Sequence, residues 1–150
     1  MSKLQAVLKQ QIAPGVYRFP SEASLATLQA EAQEQGWQLF HLDGSTIQDK
    51  ASFLAAAKTA FAMPSYVGRN WDAFEEAVND LSWVPAVGYV VVYDDAANLD
   101  DHDAPAFQAA VDILATAAGN WQAEDKPFYV LMRGAGKTDA DVMPWPAMPS

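Results

Sequence analysis

The apolar positions of this chain change period from segment to segment, and the changes divide it into elements. Leu4, Val7 and Leu8 recur at helical spacing, and Pro14-Gly15 ends any helix begun there. Residues 16–19 are short and β-prone, which predicts an edge strand. Residues 21–36, SEASLATLQAEAQEQG, return to the helical period: Leu25, Leu28 and Ala32 share a face, Ser21 is the expected N-cap, and Gly36 stands where a C′ residue belongs. Residues 37–42, WQLFHL, read as a strand turned by Asp43-Gly44. Asp49 is expected to cap a helix whose apolar face is Phe53, Leu54, Ala57 and Phe61. After the loop MPSYVGRN, Asn70 is expected to cap a helix over 70–81 with Phe74, Ala77, Val78 and Leu81 turned inward. Residues 88–93, GYVVVY, are almost wholly apolar, the mark of a central strand covered on both faces. Residues 94–103 read as an acidic loop, ending at Asp103 as the cap of a long helix that has Pro105 in its first turn and runs to about Trp121. Residues 128–132 form a second buried strand, and 133–150 an irregular tail held down by Trp145.

Strands alternating with helices predict an α/β fold, a parallel sheet of three to four strands flanked by helices. With 150 residues, 51% of them hydrophobic, the chain suits one domain with a packed core and is not disordered. We divide that domain, 1–150, into a strand-helix extension (1–36), a core (37–132) and the tail. Nine Lys and Arg against 19 Asp and Glu give a net charge of −10, which argues against a nucleic-acid surface and suits a cationic partner. With no cysteine, disulfides, thiolate metal sites and a Cys nucleophile are all excluded. The N-terminus has no apolar run suited to a secretory leader, and no stretch is long enough for a membrane span, so a cytoplasmic protein is expected.

Three segments carry patterns that suggest chemistry, and their context argues against it. RGAGKT at 133–138 looks like the end of a phosphate-binding loop. The full pattern needs glycine at position 131, which is Leu131, and the following DADVMPWP supplies no helix to hold phosphate. The five Asp of DDAANLDDHDA lack the Gly and Glu spacing of a calcium loop, so a solvated loop is expected. His41 reads as a structural histidine, and neither it nor His102 has a serine partner in a nucleophile motif. No cofactor and no metal are expected.

Residues 70–82 hold Asp72, Glu76 and Asp80 at i, i+4 and i+8, with Glu75 beside them and no Lys or Arg among them. Like charges at that spacing cost a few tenths of a kcal/mol per pair. Asp72 lies in the first turn, where the helix dipole favours an anion, but Asp80 lies near the end, where it does not. Such a face is either the solvated side of an acidic protein or a surface meant for a cationic cleft.

The surrounding residues favour the second reading. A strand ends in the turn Asp43-Gly44, a helix ends in F-A-M-P at 61–64, Y-V-G-R-N follows at 66–70, and W-D-A-F-E-E-A at 71–77. In this order, without a gap from Leu42 to Ala77, they resemble the barstar family, the intracellular inhibitors of the ribonuclease barnase. The resemblance implies a small parallel α/β fold and a function without chemistry: binding and occluding the cationic active site of a ribonuclease or related nuclease toxin. Carried over residue by residue, the partner-binding positions are Tyr66, Gly68, Asn70, Trp71, Asp72, Glu75 and Glu76, with Asp80 continuing the acidic face. Glu76 falls on the family's key Asp, which occupies the phosphate site. Tyr66 and Trp71 would give apolar anchorage, and Asn70 would cap the helix and orient the loop. Four positions depart from the family: Val67 replaces a second aromatic, Arg69 puts a cation into the patch, Glu75 stands where an aromatic is frequent, and Glu76 is one methylene longer than Asp. The implied partner is a basic extracellular-type ribonuclease or nuclease toxin, with no nucleic acid, no membrane and a free monomer. Two other readings stay open. One is a module for a non-nuclease basic partner. The other is an enzyme using Asp72 and Glu76 as acid and base, which needs one of them buried.

Overall fold

The computed structural model of the chain describes residues 2–135 and 142–146. Gly136, Lys137 and Thr138 of the glycine-rich segment lie outside the described residues. Four strands, β1 (Gly15–Arg18), β2 (Gln38–Asp43), β3 (Tyr89–Asp94) and β4 (Phe128–Met132), make one parallel sheet in the spatial order β1-β4-β3-β2. Val91 stands opposite Phe40 on one side and Val130 on the other. β3 and β4 are therefore interior, and their continuous apolar runs follow from being covered on both faces. β1 forms one edge, as its short β-prone run predicts. The tail closes that edge: the Arg18 N–H donates to the Met143 carbonyl at 2.7 Å, and the Met143 N–H to the Val16 carbonyl at 2.9 Å. Trp145 lies against Tyr17 and Phe19, with ring centroids 6.0 and 5.2 Å apart.

Alternation along the strands gives each face its own core. Leu39, Val90, Val92, Tyr129 and Leu131 pack with α1 (Lys3–Leu8) and α2 (Leu25–Glu34). Phe40, Leu42, Tyr89, Val91, Tyr93 and Val130 pack with α3 (Lys50–Ala60), α4 (Trp71–Val78), α5 (Ala97–His102) and α6 (Ala104–Ala123). Asp49 and Asp103 cap α3 and α6 as expected, accepting from the Ser52 and Ala106 N–H groups at 2.8 and 3.2 Å. Gly36, at φ +80, follows the end of α2.

Several boundaries differ from the sequence expectation, mostly for tertiary reasons. β2 lies one residue later than expected, at Gln38–Asp43. Ser24, not Ser21, caps α2, its Oγ accepting from the Thr27 N–H at 3.2 Å. The Arg133 guanidinium takes the carbonyls of Ser21 (3.3 Å) and Ala23 (2.6 Å), which a helix begun at Ser21 would have turned to its own amides. α4 stops at Val78, where Asn79 Nδ2 donates to the Glu75 carbonyl at 2.7 Å and Leu81, at φ +49, reverses the chain. Residues 94–103 are not an open acidic loop. They contain α5, whose Leu99 is buried, and Asn98 Nδ2 reaches the carbonyls of Gly44 (2.8 Å) and Ile47 (3.1 Å). The Asp43-Gly44 turn has a steric cause: a Cβ on Gly44 would stand 2.2 Å from the Asp94 carbonyl and 2.3 Å from that of Asp95.

Candidate functional site

The acidic residues singled out above sit on the connection from β2 to β3, and its aromatic interior sets their geometry. Phe61, at the end of α3, packs on Phe40 with ring centroids 4.5 Å apart and planes tilted by 35°, and Phe74 of α4 meets Phe53 edge-on at 5.3 Å. These rings fix α3 against α4 from inside. The loop between the helices is tied from three sides. Lys58 Nζ donates to the carbonyls of Ser65 (3.2 Å) and Val67 (2.7 Å), and Trp83 Nε1 to that of Phe61 (3.0 Å). Asn70 Oδ1 accepts from the Ala73 N–H at 2.8 Å, the expected N-cap.

Tyr66 stands 81% exposed on this loop. Gly68 and Asn70 are exposed beside it, and a Cβ on Gly68 would come within 3.0 Å of Asn70 Nδ2. Trp71 is half-buried, its ring against Phe53 (5.7 Å) and Phe74 (6.2 Å) with Lys50 Nζ over it at 5.9 Å, so it serves the protein's own packing as well. Asp72, Glu75, Glu76 and Asp80 are all exposed, while Phe74, Ala77 and Val78 are buried on the opposite side. Asp80 lies two residues past the end of α4, in the turn rather than on the helix. Among the described residues Asp72, Glu75 and Glu76 have no ion pair and no side-chain hydrogen bond. Asp80 accepts only from Ser82 Oγ, at 3.2 Å. With both Asp72 and Glu76 in solvent, the desolvation that an acid–base pair of carboxylates needs is missing.

Two depressions flank Glu76. One, of about 360 Å³, is lined by Tyr66, Gly68, Glu76, Ala77, Asp80 and Trp83 among others. The other, of about 480 Å³, lies between α4 and α6 and is lined by Asp72, Glu75, Glu76, Asn79, Thr116 and Asn120. Trp83, Thr116 and Asn120 are absent from the sequence reading. Trp83 follows the acidic face closely in an aperiodic apolar run, W-V-P-A-V, and that run was its signal. Thr116 and Asn120 come in only through packing, where Asn120 Nδ2 donates to Asn79 Oδ1 at 2.8 Å.

A second charged group lies at the carboxyl ends of the strands. Burial alone would raise the Asp94 carboxyl. Hydrogen bonds from Arg133 and from His41 Nε2 (2.8 Å) outweigh that and hold it below the usual carboxylate range. This group joins β2, β3 and the segment before α2, and His41 is the structural residue expected of it. Among the described residues no cluster of His, Asp and Glu is arranged to hold a metal ion, and no helix is long and apolar enough to cross a membrane.

The family model described as Barstar (barnase inhibitor) matches residues 37–133, from the start of β2 to the end of β4. The chain belongs to the barstar family. The match takes in the whole β2-to-β3 connection of this barstar-family chain, with Tyr66, Glu76 and Trp83, and begins after α1, β1 and α2. The family is described by its role as barnase inhibitor. No curated protein matches the chain. Among solved structures, the Aeropyrum pernix ORC2 protein, in ADPNP-ADP complexes, is similar over 87% of this chain and 39% of its own, with a TM-score of 0.56 and 10% identity. The chain thus spans well under half of that protein, and a likeness at that identity is one of fold alone.

Proposed function

We propose that this chain inhibits a ribonuclease, or a related nuclease toxin, by seating the loop around Tyr66 and the exposed face of α4 in the enzyme's cationic cleft. The observation that carries the reading is Glu76, an exposed carboxylate without a partner of its own among the described residues, placed between two depressions and flanked by Asp72, Glu75 and Asp80. Cations that bind phosphate oxygens in a nuclease would meet carboxylates here, and a guanidinium has the fork geometry to take Glu76 in two hydrogen bonds. Tyr66 and Trp83 supply faces over which such a cation is further stabilised. Gly68 lets the partner come close to the loop backbone, and Asn70 holds the first turn of α4. The net charge of −10 steers a basic partner toward the chain, so association should slow steeply with salt. The partner is of the basic, extracellular type, the inhibitor acts in the cytoplasm, and it is monomeric when free.

The test is inhibition of barnase and of other basic ribonucleases by the wild type and by Glu76→Ala. Removing the carboxylate leaves the partner's cations buried and unpaired, at an expected cost of about 2–5 kcal/mol of binding, mostly through faster dissociation. The barnase–barstar pair itself contributes to that range. Folding should barely change, because Glu76 is solvent-exposed. Full inhibition by Glu76→Ala at wild-type concentrations would overturn the reading.

A further inference from the structure

We propose that Lys58 is a positioning residue for the partner-binding loop, its ammonium holding residues 65–67 in the shape a partner meets; this rests on the inhibitor reading above. Lys58 lies in the last turn of α3, where the helix dipole favours a cation. Its Nζ does not stop at the carbonyls of that turn, however. It reaches the Ser65 carbonyl at 3.2 Å and the Val67 carbonyl at 2.7 Å, seven and nine residues onward. Between those two carbonyls stands Tyr66. The loop closes on itself there, the Val67 N–H donating to the Pro64 carbonyl at 3.0 Å.

Among the described residues, no other hydrogen bond ties residues 65–69 to another element. The Tyr66 side chain is too exposed for packing to hold it, so it takes its position from the backbone. A charge-assisted bond to each of two carbonyls is the stronger kind of hydrogen bond, and it sets both ends of the Tyr66 segment with one group. A loop ordered before binding loses less conformational freedom on association, so Lys58 raises affinity without touching the partner.

The alternative is that Lys58 only caps α3. Lys58→Met keeps most of the side-chain length and removes the donors, whereas Lys58→Arg keeps donors and charge. We expect the Val67 amide to exchange about tenfold faster or more in Lys58→Met. The Phe61 and Ala62 amides, which donate to the Ala57 and Thr59 carbonyls at the end of α3, should keep their rates. Lys58→Arg should recover part of the Val67 protection. An unchanged Val67 amide, or equal acceleration at Phe61 and Ala62, overturns the proposal. Should Lys58→Met fail to fold, Lys58→Gln carries the same measurements. The second arm is inhibition of barnase, where Lys58→Met should need about ten times the wild-type concentration. Equal inhibition by the variant also overturns the positioning role. If the wild type does not inhibit barnase, that counts against the inhibitor reading with barnase, and the exchange rates still decide the role of Lys58.

Discussion

Tyr89, Tyr93 and Tyr129 stand on the two central strands, each almost fully buried, yet the same substitution should move their stabilities in opposite directions. The Tyr89 hydroxyl donates to the Val84 carbonyl at 2.7 Å, and that of Tyr129 to the Ile12 carbonyl. Among the described residues the buried Tyr93 hydroxyl has no hydrogen-bond partner, its ring centroid 6.1 Å from that of Phe53 and 6.5 Å from that of Phe107. Burial pushes all three phenols above their ordinary range, Tyr129 to about 12. In the unfolded chain each hydroxyl is hydrated. A buried polar group left unpaired costs about 1–3 kcal/mol. Tyr93→Phe keeps the ring and removes that cost, less a small loss of contacts around the missing oxygen, so a gain of about 1 kcal/mol is expected. Tyr129→Phe does the reverse, because it strands the Ile12 carbonyl, and should lose about 1–3 kcal/mol. The two variants should then lie about 2–4 kcal/mol apart. At this chain length each kcal/mol moves the melting temperature by about 2–4 °C. Denaturant titration measures both, provided the slope m stays constant. A loss of 1 kcal/mol or more in Tyr93→Phe, at unchanged m, would refute the reasoning and show that the hydroxyl is satisfied in solution.

Gly44→Ala should cost at least the upper end of the roughly 1–3 kcal/mol typical of overpacking, because the added carbon meets the Asp94 and Asp95 carbonyls and no side chain can yield; wild-type stability in the same titration would contradict this. Asp43 is held below the ordinary carboxylate value of 3.8 by hydrogen bonds from Ser45, Asp49 by those from Ser52, and Asp94, against its burial, by those from Arg133 and His41. A depressed folded-state pKa gives stability that is complete above the ordinary value and lost as pH falls through the depressed one, so the melting temperature should drop below about pH 4. Asp94→Asn should flatten part of that drop, and a melting temperature constant from about pH 5 to pH 2 would refute it.

Much of the frame was legible in the residues alone. Apolar runs at 88–93 and 128–132 marked the interior strands, since a strand covered on both faces cannot alternate. Asp49, Asn70 and Asp103 announced their helices because an N-cap bonds within its own first turn. The barstar-like loop and helix were readable for the same reason, as Tyr66, Gly68, Asn70 and Glu76 follow one another within a dozen residues. Interactions across long stretches of chain decided the rest. Arg133 delayed the start of α2 from 110 residues away, Asn98 drew the acidic loop into a helix against Gly44, and Thr116 and Asn120 reached the site only where α6 packs beside α4. Local sequence carries what a turn of helix or a strand can satisfy by itself. Where a buried carbonyl or carboxylate must find its partner elsewhere in the chain, the tertiary structure decides.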